Sequence, residues 1–168
     1  MGSRHETLKL GTVNKLVTLE QAATIAAQLK SQGKNIVLTN GCFDLLHVGH
    51  IRYLEAASQE GDVLIVALNS DDSVRTLKGP SRPVMDQGER AEIISALTWV
   101  DYVLIFDEPT VDRVIERIRP SVHAKGTDYT EDSVPERETL ARIGGRVAIV
   151  GDPKDHSTKD FLKKIREL

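Results

Sequence analysis

The stretch TNGCFDLLHVGH, Thr39 to His50, decides how this chain is to be read. It leaves NIVLTNG, whose central apolar run, Ile36 to Leu38, is short and β-favouring, as expected of a strand buried on both faces. The chain then turns through Gly41 and enters a helix predicted from about His47 to Gln59. Positions 47 and 50 are three apart and share one helical face. Gly49 removes a side chain that would crowd anything lying against that first turn. A helix amino end offers unpaired backbone N–H groups and a partial positive charge. Adding two imidazoles makes a cradle for a polyphosphate, in which His47 and His50 donate hydrogen bonds that strengthen as negative charge builds.

A pair of histidines at this spacing, taken alone, is more often a surface accident or half of a metal site. No further Cys or His cluster supplies the missing zinc ligands, so no protein-bound metal is expected. The ordered combination of strand, Gly41, Phe43, Asp44, His47, Gly49 and His50 is far more specific than the pair and reverses those odds.

Working outward, TLEQAATIAAQLKSQG, Thr18 to Gly33, predicts a helix with Thr18 as N-cap, Gln21 completing a capping box and Gly33 as a stop. Residues 1–17 show no clear period and form an irregular segment ahead of a domain spanning 18–168. After the central stretch, DVLIVALNS, Asp62 to Ser70, predicts a second buried strand, followed by a polar loop, Leu77 to Pro83. DQGERAEIISAL predicts a helix capped by Asp86, with Glu89 three residues on and an apolar face of Ile93, Ile94 and Leu97. The pattern repeats: a strand at Tyr102 to Phe106, a helix at Thr110 to Ile118, a short strand at Val122 to Ala124, a helix at Pro135 to Ile143, a strand at Arg146 to Val150 and a last helix at Ser157 to Glu167. Such alternation predicts an α/β fold, a Rossmann-like, doubly wound parallel sheet in a single domain. Ligands of such sheets bind beyond the carboxyl ends of the strands, where strand order reverses.

Composition narrows the setting. At 168 residues, 40% apolar and 28% charged, the chain suits one sizeable core. No segment approaches the roughly 18 consecutive apolar positions of a membrane span, and the first residues lack a secretory signal, so a cytoplasmic protein is expected. Cys42, the single cysteine, excludes an internal disulfide. A net charge of -3 and a pI near 6.0 argue against a nucleic-acid partner.

The tetrad His47, Val48, Gly49, His50 after the first strand resembles the signature of the cytidylyltransferase-like superfamily of nucleotidylyltransferases. The resemblance extends from about Val37 to Ile165. Its nearest form looks like the adenylyltransferase family acting on D-glycero-D-manno-heptose 1-phosphate, on the segments LNSDDSVRTLKGPSRPV, ERAEIISAL, VDYVLIF, AKGTDY and HSTKDFLKKI. It implies transfer of AMP from ATP, with Mg2+, to a sugar 1-phosphate, giving ADP-heptose and pyrophosphate. With no kinase segment on either side of the matched region, a stand-alone enzyme is expected. Glycerol-3-phosphate cytidylyltransferase is the alternative within the class, and a catalytically silent nucleotide-binding sensor the alternative outside it.

By this resemblance His47, His50 and Lys78 carry catalysis. Lys78 and Arg82 would be mobile cations closing on the phosphates from a Gly/Pro-flanked loop, which otherwise reads as a solvated turn. Gly41, Cys42, Phe43 and Gly49 would lie against the nucleotide, and Arg90 would contact it from the helix before the third strand. Lys125, Gly126 and Asp128 resemble the segment holding base and ribose, although Asp128 also suits a turn. Ser157 and Thr158 resemble a phosphate-binding turn, with Ser157 equally a good N-cap. Asp44 either faces the substrate, orienting the loop or holding magnesium through water, or caps backbone amides, and the structural role is preferred. Cys42 could have its thiol pKa lowered by the nearby helix terminus, yet reads as a small packed residue. Related enzymes pair, so a homo-oligomer, a dimer in its simplest form, is implied.

Overall fold

The computed structural model describes residues 15–153, 162–165 and 167. Five parallel strands form one sheet: β1 (Ile36–Gly41), β2 (Val63–Asn69), β3 (Tyr102–Phe106), β4 (Val122–Gly126) and β5 (Arg146–Val150), in the order β3-β2-β1-β4-β5. The chain winds from β1 outward through β2 to β3, then returns across β1 to β4 and β5. Strand order therefore reverses between β1 and β4, and the crevice a ligand would use opens at their carboxyl ends. The register places Asn40 opposite Ala67 of β2, and Leu38 opposite His123 of β4.

Helices cover both faces. Along β1, Val37 joins one core cluster with Leu54 and Ala57 of α2 (Val48–Ser58) and Ala91 and Ile94 of α4 (Gln87–Ser95). Ile36 and Leu38 join the other, with Ala22 and Ala26 of α1 (Leu19–Ser31), Val114, Ile115 and Ile118 of α5 (Asp112–Ile118) and Leu140 of α6 (Arg137–Arg142). This alternation follows from the two-residue repeat of a strand. Burying each Val, Leu or Ile in these layers contributes about 1.5–3 kcal/mol. The expected capping box at the start of α1 is present: the Thr18 hydroxyl accepts from the Gln21 amide at 3.2 Å, and the Gln21 side chain accepts from the Thr18 amide at 2.9 Å. Lys15–Val17, which show no period in the sequence, bond to the outer edge of β3 through Val17 N–H to Val103 O (2.9 Å) and Val103 N–H to Lys15 O (2.8 Å).

The sequence reading needs correction in places. An unforeseen helix, α3 (Asp71–Lys78), follows β2, with Ser70 as N-cap accepting from Ser73 N–H. It buries only Ser73 and Val74, so it has no apolar stripe for periodicity to detect. On α4 the buried positions are Arg90, Ala91, Ile94 and Ser95, while Ile93 is exposed. β4 continues past Ala124 to Gly126, and both α5 and α6 are shorter than their predicted spans. The predicted last helix lies largely outside the described residues, although 162–165 are helical. No helix among the described residues is long and apolar enough to cross a membrane.

Candidate active site

His47 is the N-cap of α2, with extended backbone (φ -136°, ψ 170°), and His50 lies in the first turn. Their rings stack with centroids 3.8 Å apart and an interplanar angle of 26°. The His47 backbone N–H donates to His50 Nδ1 at 3.4 Å, which makes Nε2 the donor of that ring. Phe43 meets His50 edge-on at 5.3 Å between centroids. Its backbone is left-handed (φ 43°), a conformation costing a bulky residue about 1–3 kcal/mol. A β-carbon on Gly41 would come within 2.9 Å of the Phe43 ring, so glycine is what allows the ring to fold back beside the pair.

The β2 side of the cleft is built around Asp44 and Arg90. Asp44, 2% exposed, accepts from the backbone N–H of Val84 (2.8 Å) and Met85 (3.3 Å) and pairs with Arg82 Nη1 at 3.0 Å. This bears out its structural reading. Arg82 is thus docked on a buried carboxylate, and Lys78 is the exposed last residue of α3, where Gly79 (φ 97°) ends the helix. Arg90 is fully buried. It donates to the carbonyls of Met85 (3.1 Å), Cys42 (2.6 Å) and Asn69 (2.9 Å) and to Asp71 Oδ1 (2.7 Å). Its donors bind the tetrad loop, β2 and the segment before α4 together. Cys42 is half-buried, and burial pushes its thiol up rather than the helix end pulling it down.

The β4 side is equally occupied. Lys125, 6% exposed, lies 3.0 Å from Asn40 Oδ1 and 3.2 Å from Glu136 Oε2, with the Tyr129 ring centroid 5.2 Å away. In the segment expected to hold base and ribose, Lys125 thus forms an internal ion pair with Glu136. A β-carbon on Gly126 would meet Asp128 Oδ1 at 2.9 Å, so this glycine lets the exposed Asp128 fold over the strand end. Ser157 and Thr158 lie outside the described residues.

Several residues at this edge went unnoticed in the sequence. Tyr53 hydrogen-bonds the Ala124 carbonyl at 2.8 Å and the Thr39 hydroxyl, tying α2 to both strands that flank the crevice. Burial pushes its phenol above the ordinary range. Its spacing from His50 by three places it on the same helical face, which was the available signal. Asn40 and His123 are polar residues in otherwise apolar strand runs, a signal equally open to reading.

Fold and site together define a class: an α/β enzyme with a paired-imidazole helix end at the carboxyl edge of a parallel sheet. A cytidylyltransferase-like family model matches residues 38–166, and the chain belongs to that family and is a nucleotidyltransferase. The bifunctional protein HldE of Geobacter sulfurreducens is 50% identical over 151 residues, covering 90% of this chain and 31% of that protein. HldE of Geotalea uraniireducens is 49% identical over 152 residues, again covering 90% of this chain and 31% of that protein. The chain thus spans about a third of the length of these curated relatives. The crystal structure of a lipopolysaccharide core biosynthesis protein from Thermoplasma volcanium superposes with a TM-score of 0.61 at 30% identity, covering 70% of this chain and 95% of that one.

Proposed function

We propose that this chain transfers AMP from ATP to D-glycero-D-manno-heptose 1-phosphate, giving ADP-heptose and pyrophosphate. The observation that carries the reading is the stacked His47–His50 pair at the amino end of α2, beside the crevice where strand order reverses. The heptose acceptor is supported by the kinship with HldE proteins and with a lipopolysaccharide core biosynthesis protein.

A phosphate oxygen of the sugar attacks the α-phosphorus of ATP in line. The new P–O bond forms as the bond to the bridging α–β oxygen breaks, and pyrophosphate leaves with that electron pair. The attacking group is already an anion at neutral pH, so no general base is required. Catalysis reduces to alignment and to charge stabilisation by His47, His50, the amide groups of α2 and Lys78. Magnesium arrives with the triphosphate as part of the substrate. Asp44 does not fit as its ligand, because its oxygens are engaged by Arg82, Val84 and Met85.

Pyrophosphate release over a matrix of ATP or CTP against heptose 1-phosphate, glycerol 3-phosphate and other phosphates tests the assignment. ATP with heptose 1-phosphate is expected to be the productive pair, and His50→Ala to lower kcat about 10²- to 10³-fold, the loss typical of one donor to a developing anion. Near-normal turnover by a folded His50→Ala protein would overturn the role of the pair. Release only from CTP with glycerol 3-phosphate would replace the substrate.

A further inference from the structure

At the reversal point, Asn40, His123, Lys125 and Glu136 form a connected polar cluster on the face of the sheet opposite α2. Asn40 shares the parity of Ile36 and Leu38, and His123 and Lys125 alternate with Val122 and Ala124 of the α2 face. His123, Lys125 and Glu136 are 0%, 6% and 4% exposed, whereas Asn40 is only half-buried.

The cluster fixes which way the Asn40 amide points. A lysine ammonium has donors and no acceptor, so the Asn40 atom 3.0 Å from Lys125 Nζ is the oxygen. That oxygen is also 3.1 Å from His123 Nε2, so His123 carries its proton there and donates. Glu136 holds the ammonium from the other side, at 3.2 Å and 3.4 Å. The amide nitrogen is consequently turned away from β4, and among the described residues it has no hydrogen-bond partner. Burying an ion pair and an imidazole to orient one side chain is weak design for stability, since well-packed apolar residues do as well or better. At the crevice of a doubly wound sheet it is a device for presenting a donor.

The triphosphate belongs with His47 and His50 on the α2 side of β1. In-line displacement brings the second substrate to the α-phosphorus from the side opposite the leaving group. Asn40 stands on the face of β1 opposite α2, across the strand from the histidine pair. We infer that Asn40 determines acceptor specificity by donating from Nδ2 to an oxygen of the phosphorylated acceptor, with His123, Lys125 and Glu136 as positioning residues behind it. The inference rests on the transfer reaction proposed above for the identity of that acceptor.

Steady-state kinetics of the full chain with ATP and heptose 1-phosphate, read as pyrophosphate release, tests this. Asn40→Asp keeps an oxygen toward Lys125 and His123 but presents an anionic oxygen in place of the donor. It is expected to raise the acceptor KM about tenfold or more while the ATP KM stays within about twofold. His123→Leu, which lets the amide turn, is expected to raise the acceptor KM as well, and His123→Gln, which retains a donor, to restore most of it. An unchanged acceptor KM in Asn40→Asp, or equal rises for both substrates, would overturn the inference and leave the proposed reaction standing. Absence of pyrophosphate release by the wild-type protein with every acceptor would instead overturn the reaction, and this inference with it.

Discussion

The two walls of the cleft differ in where most of their polar bonds go, although each also holds some of the other kind: Arg82–Asp44 and Arg90–Asp71 side-chain pairs on the β2 side, and Tyr53 on the Ala124 carbonyl on the β4 side. On the β2 side, charged side chains grip the main chain: Arg90 binds the carbonyls of Cys42, Asn69 and Met85, and Asp44 binds the amides of Val84 and Met85. On the β4 side, side chains grip one another: Asn40, His123, Lys125 and Glu136. Main-chain partners persist whatever the surrounding sequence, so the first wall fixes a loop shape. Side-chain partners can be exchanged as a set, so the second wall is where a related chain could alter what it accepts without disturbing the tetrad.

This contrast makes ranked predictions. Arg90→Ala is expected to cost most, about 5 kcal/mol, because it strands buried carbonyls and the Asp71 carboxylate together. Urea unfolding measures it, and a loss under about 1 kcal/mol would erase the distinction between the walls. Lys125→Met is expected to cost about 3 kcal/mol by leaving Glu136 buried without its cation. Adding Glu136→Leu should recover most of that stability, whereas no single second substitution should rescue Arg90→Ala. The smallest effect is pH-dependent. Desolvation, aided by Lys125, lowers the His123 pKa from 6.5 to about 3. Between those values the unfolded chain takes up a proton that the native ring refuses, so stability falls as pH falls. The slope from this residue is up to about 1.4 kcal/mol per pH unit. Unfolding at pH 7, 6 and 5 should show a shallower decline in His123→Gln than in the wild type.

Much of the scaffold was legible because it is written in local spacing. The Thr18–Gln21 box, the apolar run of β1 and the turn into α2 each depend on residues within a few positions of one another. The tetrad was legible for the same reason. What failed to show depends on distance along the chain. Arg90 occupies an inward position on α4, and spacing can say that the position faces inward but not that carbonyls 21 and 48 residues away converge on it. The pairing of Lys125 with Asn40, 85 residues earlier, stayed hidden for the same reason. Helix α3 escaped because its signals lie in its caps and charges, Ser70, Asp71, Asp72 and Lys78, and not in an apolar face.

The bonds from Lys15 and Val17 to Val103 also bear on how copies of this chain meet. An outer strand with bare amide and carbonyl groups is a template on which a second molecule can add its own strand. Here a short upstream piece of the same chain occupies part of that template along β3. Trimming the chain to begin at Thr18 would uncover it, converting a satisfied border into an adhesive one and favouring association that rises with protein concentration.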